Sequence, residues 1–309
     1  MKKILAWVLA LSLLLCGAAF AEEAEEVHVK VGVVGENNEQ WEQVIIPTLA
    51  EEGIIIELVK FSDYIIPNQA LAQGEIDMNA FQHYEFMNNW NEENSAAYGV
   101  TLVGLCDTFI APLCIYSDKI TSLDELKEGD QIAIMNDVVN EARALRMLAS
   151  TGLITLSENA TGLATVADIV ENPLGLEFVE MEAALTPTAM KDPAIAIAFL
   201  NGTHAKDAGL SNDQALLVES YDPENPDKSF VNNIAVREGE ADNPVYQRIA
   251  EVYHTDEVLA LFDTVYAGVY VPTWGPSEAA DEATEATDEA TEAADEAADE
   301  AETEEPAAE

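Results

Sequence analysis

Positive charge is scarce in this sequence. Only 13 Lys and Arg stand against 59 Asp and Glu, a formal net charge of -46 over 309 residues. Nucleic acid, anionic membrane surfaces and polyphosphates draw most of their affinity from Lys and Arg, so a chain this acidic repels them. The ligand class left open is neutral, zwitterionic or cationic. Histidine is sparse too. His28, His83, His204 and His254 lie far apart with no close Cys or His partner, so the spacing of a transition-metal site is missing, and no D-x-[DN]-x-[DN]-G calcium loop is present. No metal or other cofactor is expected. The sequence also lacks G-x-S-x-G, H-E-x-x-H, G-x-x-x-x-G-K-[ST] and G-x-G-x-x-G. These absences argue for a binding protein and against an enzyme. An exported hydrolase using His83 with Ser62 or Asp63 is the enzymatic alternative, and no nucleophile motif supports it.

Cysteine is limited to Cys16, Cys106 and Cys114. The last two fall in the folded part and leave two readings open. They pair in an oxidising compartment, or they are separate buried thiols, because a segment as short as CDTFIAPLC needs a turn to bring them together.

What is present begins with an export signal. Residues 1–21, MKKILAWVLALSLLLCGAAFA, carry two Lys, an apolar run and small residues. The run is too short for a confident membrane span, which takes about 20 apolar residues. Two processing sites compete: A-x-A cleavage after Ala21, which releases a soluble protein, and a lipobox-like LLLCG that makes Cys16 a lipid-bearing N-terminus. At the other end, residues 277–309 hold 15 acids, no base and, apart from Pro306, no apolar side chain larger than Ala. A seven-residue repeat without bulky positions has no seam to pack, so this tail reads as a solvated spacer. An adhesive or cation-buffering role is its functional alternative. Without the tail and the two signal lysines the body still carries 11 - 44 = -33.

With 49% hydrophobic residues and a length beyond one typical domain, a folded core in two parts is expected. VHVKVGVVG, IIIELVKF and IDMNAF read as strands. They are separated by a helix over 39–50 bent near Pro47 and a short one over 67–73 closed by Gly74, a β-α-β-α-β order that implies a parallel sheet. The pattern repeats after Pro112 with LCIYS, a helix in SLDELKEG, QIAIMN and a helix in DVVNEARALRMLASTG. LEFVEM, AIAIAFLNG, ALLVES and VNNIAVRE follow as strands, then a helix over 243–262. The implied fold is α/β, with lobe 1 from 27–111 plus 235–274 and lobe 2 from 112–234. Extended crossings near 109–116 and 232–236 join the lobes, and a ligand cleft lies between them.

Arg143 is the candidate for holding a carboxylate. Asn136 and Asp137 cap the helix that follows, so Arg143 lies within its first two turns, where the dipole disfavours a cation unless an anion is near. The competing reading is a surface pair with Glu141 or Glu39. Tyr64, Phe81, His83 and Phe86, with Asn79 and Gln82, lie around a strand end and the loop after it. That mixture suits a pocket for an apolar side chain as well as it suits ordinary core.

At these residues the chain resembles the NlpA/MetQ family of exported methionine-binding receptors of ABC importers. The matching residues in the first part are FSDY (61–64), Pro67 with Asn68, ALA (70–72), Gly74, Ile76 with Asp77, NAFQH (79–83), and Thr108 with Phe109. In the second they are SLDELK (122–127), Asn136 with Asp137, Asn140, RAL (143–145), GLITL (152–156), DIVENP (168–173) and Val231 with Asn232. The resemblance spans 27–274 and stops before the tail. It implies a two-lobe, periplasmic-binding-protein-like fold and a receptor that binds L-methionine or a related amino acid, or a methionine-containing dipeptide. Its partners are then an ABC permease with ATPase subunits. The receptor is held at the membrane if Cys16 is lipidated and is otherwise soluble outside the cytoplasm. It also implies roles: Tyr64, Phe81 and His83 as an aromatic wall around the side chain, with Phe86 where the family commonly has Tyr, and Arg143 for the carboxylate. Asn140 belongs to the Arg143 motif. Asn201 and Asn232 would serve the amino and carboxylate groups, and Trp41 would stand near the cleft mouth.

Overall fold

The computed structural model describes residues 26–160, 162–222 and 227–277. The signal segment 1–21 with Cys16, and the tail beyond 277, lie outside the described residues. No helix among the described residues is long and apolar enough to cross a membrane.

The chain begins with β1 (Val27–Val34) and β2 (Ile54–Phe61), which pair in parallel from Val27↔Ile54 to Val34↔Phe61. Between them a continuous helical stretch starts as a π-helix, Gln40–Ile45, and continues as an α-helix, Ile46–Glu51. Pro47, which has no N–H to donate, stands in the first turn of the α-segment, where the bend was expected. Helix Ile66–Gln73 ends at Gly74, whose φ of 76° needs glycine, and leads into β3 (Met78–His83), parallel to β1. Helix Tyr84–Tyr98 follows, then β4 (Leu102–Ile110).

The chain then enters a second sheet through β5 (Cys114–Tyr116) and β6 (Gln131–Met135). SLDELKEG, expected as a helix, forms only the 3-10 turn Leu123–Glu125, capped by the Ser122 hydroxyl. Helix Val138–Ser150 comes next, followed by a ribbon of β7 (Thr155–Leu156) and β8 (Ile169–Glu171). β9 (Glu177–Met181), β10 (Ile195–Leu200), helix Gly202–Asp207 and β11 (Leu217–Val218) complete this half.

β12 (Val231–Arg237) returns to the first sheet, antiparallel to both β3 and β4, and β13 (Val271–Pro272) adds its far edge. The strand order is β13-β4-β12-β3-β1-β2 in the six-stranded sheet and β11-β5-β10-β6-β9 in the five-stranded one. The described residues that lead from one sheet to the other are 111–113, 219–222 and 227–230. VNNIAVR forms the strand expected of it, but 232–236 lies inside the first sheet rather than crossing between the two: Asn233 is buried and its amide donates to the Gln82 carbonyl at 3.2 Å. The single helix expected over 243–262 is two, Pro244–Tyr253 and Asp256–Thr264, broken at His254 and Thr255.

These two C-terminal helices cover the first sheet, burying Ile249, Val252, Tyr253, Val258 and Phe262 against Val29, Val31 and Ile234. Trp41 belongs to this core. It is fully buried, edge-on to Tyr253 at 5.8 Å between ring centroids, which corrects its expected place at the cleft mouth. A second cluster bridges the halves, joining Val34 and Tyr64 to Leu113, Leu145 and Ile197. Cys106 in β4 and Cys114 in β5 belong to different sheets and are separate thiols, which burial pushes up to about 12 and about 11.

Candidate functional site

A cavity of about 380 Å³ lies where the sheets meet. It is lined by Tyr64, Phe81, Gln82, His83, Phe86, Asn232, Ala111, Asn140, Arg143, Asn201, Gly202 and Thr203. Of the residues singled out in the sequence, Tyr64, Phe81, Gln82, His83, Phe86, Asn140, Arg143, Asn201 and Asn232 border this one space, whereas Asn79 and Trp41 do not. The first half contributes the end of β3, the following turn of helix, Tyr64 and, opposite His83 in the register, Asn232 of β12. The second contributes the early turns of helix Val138–Ser150 and the junction after β10, where Asn201 is the N-cap of helix Gly202–Asp207.

One side of the cavity is aromatic. Tyr64 and Phe81 stack at 5.9 Å and 21°, and Phe86 stands edge-on to them at 6.3 and 6.0 Å. Phe86 is not in a loop, as the sequence suggested, but in the first turn of helix Tyr84–Tyr98. His83 is the N-cap of that helix, and its Nδ1 accepts from the Phe86 N–H at 3.2 Å. An Nδ1 that accepts a hydrogen bond puts the proton of the neutral ring on Nε2. Burial, with the nearby Arg143 charge, pushes the ring's pKa down to about 3, so it is neutral at ordinary pH. Nε2 is buried and makes no hydrogen bond of normal geometry, with the Asn140 side chain and the Ser229 backbone close by. Behind this wall lies a buried amide network. The Asn68 amide donates to Gln82 Oε1 at 2.7 Å, while Asn68 Oδ1 accepts from Asn79 at 2.9 Å and from Gln82 at 2.6 Å.

The other side is polar. Asp137 caps helix Val138–Ser150, accepting the Asn140 N–H at 2.9 Å and the Asn140 side-chain amide at 2.9 Å. Asn140 Oδ1 accepts from Asn201 Nδ2 at 2.9 Å, and Asn201 Oδ1 is buried without a partner. Arg143 is 3% exposed. Neither carboxylate considered from the sequence reaches it: Glu141 accepts from the Val166 N–H at 2.9 Å and Glu39 from the Tyr266 hydroxyl at 2.8 Å. Its counter-ion is Glu219, which accepts from Nε at 2.7 Å and from Nη2, and the Phe230 ring lies 4.9 Å from the guanidinium carbon. Glu219 and Phe230 were missed. One acid among 59 carries no signal, and Phe230 was visible only as a neighbour of Asn232.

Hydrolytic chemistry is not assembled. Ser62 and Asp63 border a neighbouring cavity of about 810 Å³ that does not include His83, and Asp63 accepts from the Ile65 and Ile66 N–H groups at 2.7 and 2.9 Å.

The sequence pattern of the NlpA lipoprotein family matches residues 29–274. This chain belongs to the NlpA lipoprotein family. Among its relatives in that family is the D-methionine-binding lipoprotein MetQ of Salmonella typhi, 38% identical over 266 residues, covering 86% of this chain and 94% of the relative. Its fold is that of a nutrient-binding protein from Burkholderia cenocepacia solved bound to methionine, with a TM-score of 0.73 and 33% identity over 80% of this chain and 100% of that one. The substrate-binding protein of a methionine transporter from Streptococcus pneumoniae is as similar, with a TM-score of 0.73 and 35% identity over 80% of this chain and 96% of that one. The NlpA-family match ends at Trp274, just before the tail.

Contacts across the cleft hold the two halves of this NlpA-family chain together. Arg146 of the second half reaches Glu85 of the first at 3.4 Å, and Asp207 accepts from the Glu36 N–H at 3.2 Å and from the Asn37 side chain.

Proposed function

We propose that this protein is the extracytoplasmic receptor of an ABC importer, binding methionine between its lobes and delivering it to the permease and its ATPase subunits. The observation that carries the reading is the pairing of unsatisfied groups around one cavity. A buried donor, His83 Nε2–H, and a buried acceptor, Asn201 Oδ1, accompany the Arg143 guanidinium, and three rings form the opposite side. A zwitterionic amino acid fits that set. Its carboxylate takes charge-assisted hydrogen bonds, worth about 1.5 to 3 kcal/mol each, and its thioether takes aromatic contacts of about 0.3 to 1.5 kcal/mol. Methionine-binding relatives covering most of the chain support the ligand. The eight sequence-derived residues take these roles: Tyr64, Phe81, Phe86 and His83 around the side chain, and Arg143, Asn140, Asn201 and Asn232 around the polar end.

The two sheets with their helices are the two lobes, hinged through 111–113 and the segments 219–222 and 227–230. Since each lobe supplies half of the contacts, ligand binds the closed state better than the open one, and that difference drives closure. No bond is made or broken. Export and retention at the membrane through Cys16 complete the reading, supported by lipoprotein relatives. The mass of the mature N-terminus separates Cys16 from Glu22.

The neighbouring cavity of about 810 Å³ shares Tyr64 as a wall and favours a second reading, a methionine-containing dipeptide. Calorimetry with the purified chain is expected to give a 1:1 complex with L-methionine that Arg143→Ala weakens by about tenfold or more. Saturation by a different amino acid or a dipeptide, with no heat from methionine, would overturn the substrate and leave the fold untouched.

A further inference from the structure

Arg143 is held by both interlobe crossings at once. Nη2 donates to the Ala111 carbonyl at 3.1 Å in the first crossing. The carboxylate of Glu219 and the ring of Phe230, both in the second, take its Nε–Nη2 edge and its face. Glu219 is in turn fastened to the first crossing in both directions: its N–H donates to the Leu113 carbonyl at 2.9 Å, and its Oε2 accepts from the Leu113 N–H at 3.1 Å. Arg143 borders the cavity and Glu219 does not. The acid therefore grips the guanidinium from the hinge side. Nη1 takes no part in these bonds.

Two physical consequences follow from that arrangement. A two-point Arg–carboxylate contact fixes the plane of the guanidinium far better than one bond does. It also cancels the charge of Arg143 before any ligand arrives. Nearby, Arg146 pairs with Glu85, and the Asp137 carboxyl, held by the neutral Asn140 amide, adds no positive charge to the cavity. A carboxylate entering the cavity thus meets a neutral pair. If it comes without a cation of its own, it adds one uncompensated buried charge, which is costly. A zwitterion brings an ammonium with it, and Asn201 Oδ1 is an acceptor with no other partner.

We infer that Glu219 is a positioning and specificity residue. It aims Arg143 at the cavity from the hinge and, by cancelling its charge, makes the site select a zwitterionic amino acid over a net-anionic carboxylate of the same shape. This rests on reading the cavity as an amino-acid site. Discrimination of this kind works by penalising the wrong ligand rather than by strengthening contacts to the right one.

The test compares two probes on the full chain at neutral pH: L-methionine, and 4-(methylthio)butanoate, which is methionine without its amino group and so adds no bulk. Calorimetry gives the first affinity and displacement of methionine the second. The wild type is expected to prefer methionine by about a hundredfold or more, because the analogue both loses the ammonium contacts and carries net charge. Glu219→Gln keeps the shape and one acceptor but removes the charge, and is expected to narrow the preference by about tenfold or more. Glu219→Asp keeps the charge and should keep the wild-type preference even where both affinities fall. An unchanged ratio in the Gln variant overturns the inference, since a purely structural role weakens both probes alike. If Glu219→Gln does not fold, Arg143→Gln/Glu219→Gln decides. Recovery of folding supports charge compensation, and failure to fold means that the crossing needs the carboxylate itself, which overturns it. Binding of neither probe by the wild type removes the amino-acid reading and this inference together, whereas methionine binding with an unchanged ratio removes the inference alone.

Discussion

His83 concentrates several constraints in one side chain. It ends β3, caps the next helix through Nδ1, and borders the cavity as a neutral ring. Its pKa falls from 6.5 to about 3 on folding, so between those values the unfolded chain binds the proton that the folded chain refuses. Its contribution is therefore harmless above pH 6.5, and stability is lost as pH drops from there toward 3, by about 1.4 kcal/mol per unit at most. Burial lowers the pKa of His204 and acts in the same sense. Asp137 and Glu141, raised by burial, act in the opposite one. His83→Gln removes only the His83 share. Between pH 6.5 and 5 the variant should lose about 2 kcal/mol less than the wild type in urea unfolding. Parallel curves for the two proteins would mean that the ring is not buried in its neutral form. At this scale the sequence was informative where a residue type is rare. Arg143 stood out among 13 basic residues, whereas its partner Glu219 was hidden among 59 acids.

Helices and strands were legible in proportion to how regularly their apolar residues repeat. β1 alternates valines with other residues and β2 opens on three isoleucines, and helix Val138–Ser150 has a buried stripe behind its Asp137 cap. Helix Tyr84–Tyr98 was not legible. Its sequence is polar, only Met87 and Trp90 are buried, and its start depends on a histidine cap that no pattern announces. SLDELKEG has helix formers and an N-cap, yet it stops after one turn, because a segment this short needs tertiary packing to continue. Helix Ile66–Gln73 is pinned to β3 by the Asn68, Asn79 and Gln82 amides, all buried. Asn68→Ala would remove the bonds of Gln82 Oε1 and Asn79 Nδ2, while Gln82 Nε2 keeps its bond to Asn79 Oδ1 at 3.0 Å. At about 1 to 3 kcal/mol for each orphaned group, it should lower unfolding stability by about 2 to 4 kcal/mol. Methionine binding should weaken as well, because Gln82 lies between Phe81 and His83. A change below about 0.5 kcal/mol in urea denaturation would mean that the network contributes little.

At the scale of the whole molecule, the acidity divides into a tail with 15 acids and a body that keeps a charge of -33. The family match ends before the tail, and the described residues that line the cavity fall within 64–232, so truncation after Pro276 should leave methionine affinity within about twofold by calorimetry. A larger loss would give the tail a part in binding and favour the adhesive or cation-buffering role. The sequence by itself determined the α/β order and the net acidity and, with the family resemblance, named eight of the residues found on the cavity. Local periodicity, residue scarcity and motif resemblance are properties of the chain as written. Tertiary structure alone decided which residues pair. It set Glu219 against Arg143 across a separation of 76 residues, made β12 a central strand rather than a crossing, and left His83 Nε2 and Asn201 Oδ1 unsatisfied on one cavity. Burial and hydrogen bonding depend on which distant segments the sheets bring together, and no local pattern encodes that.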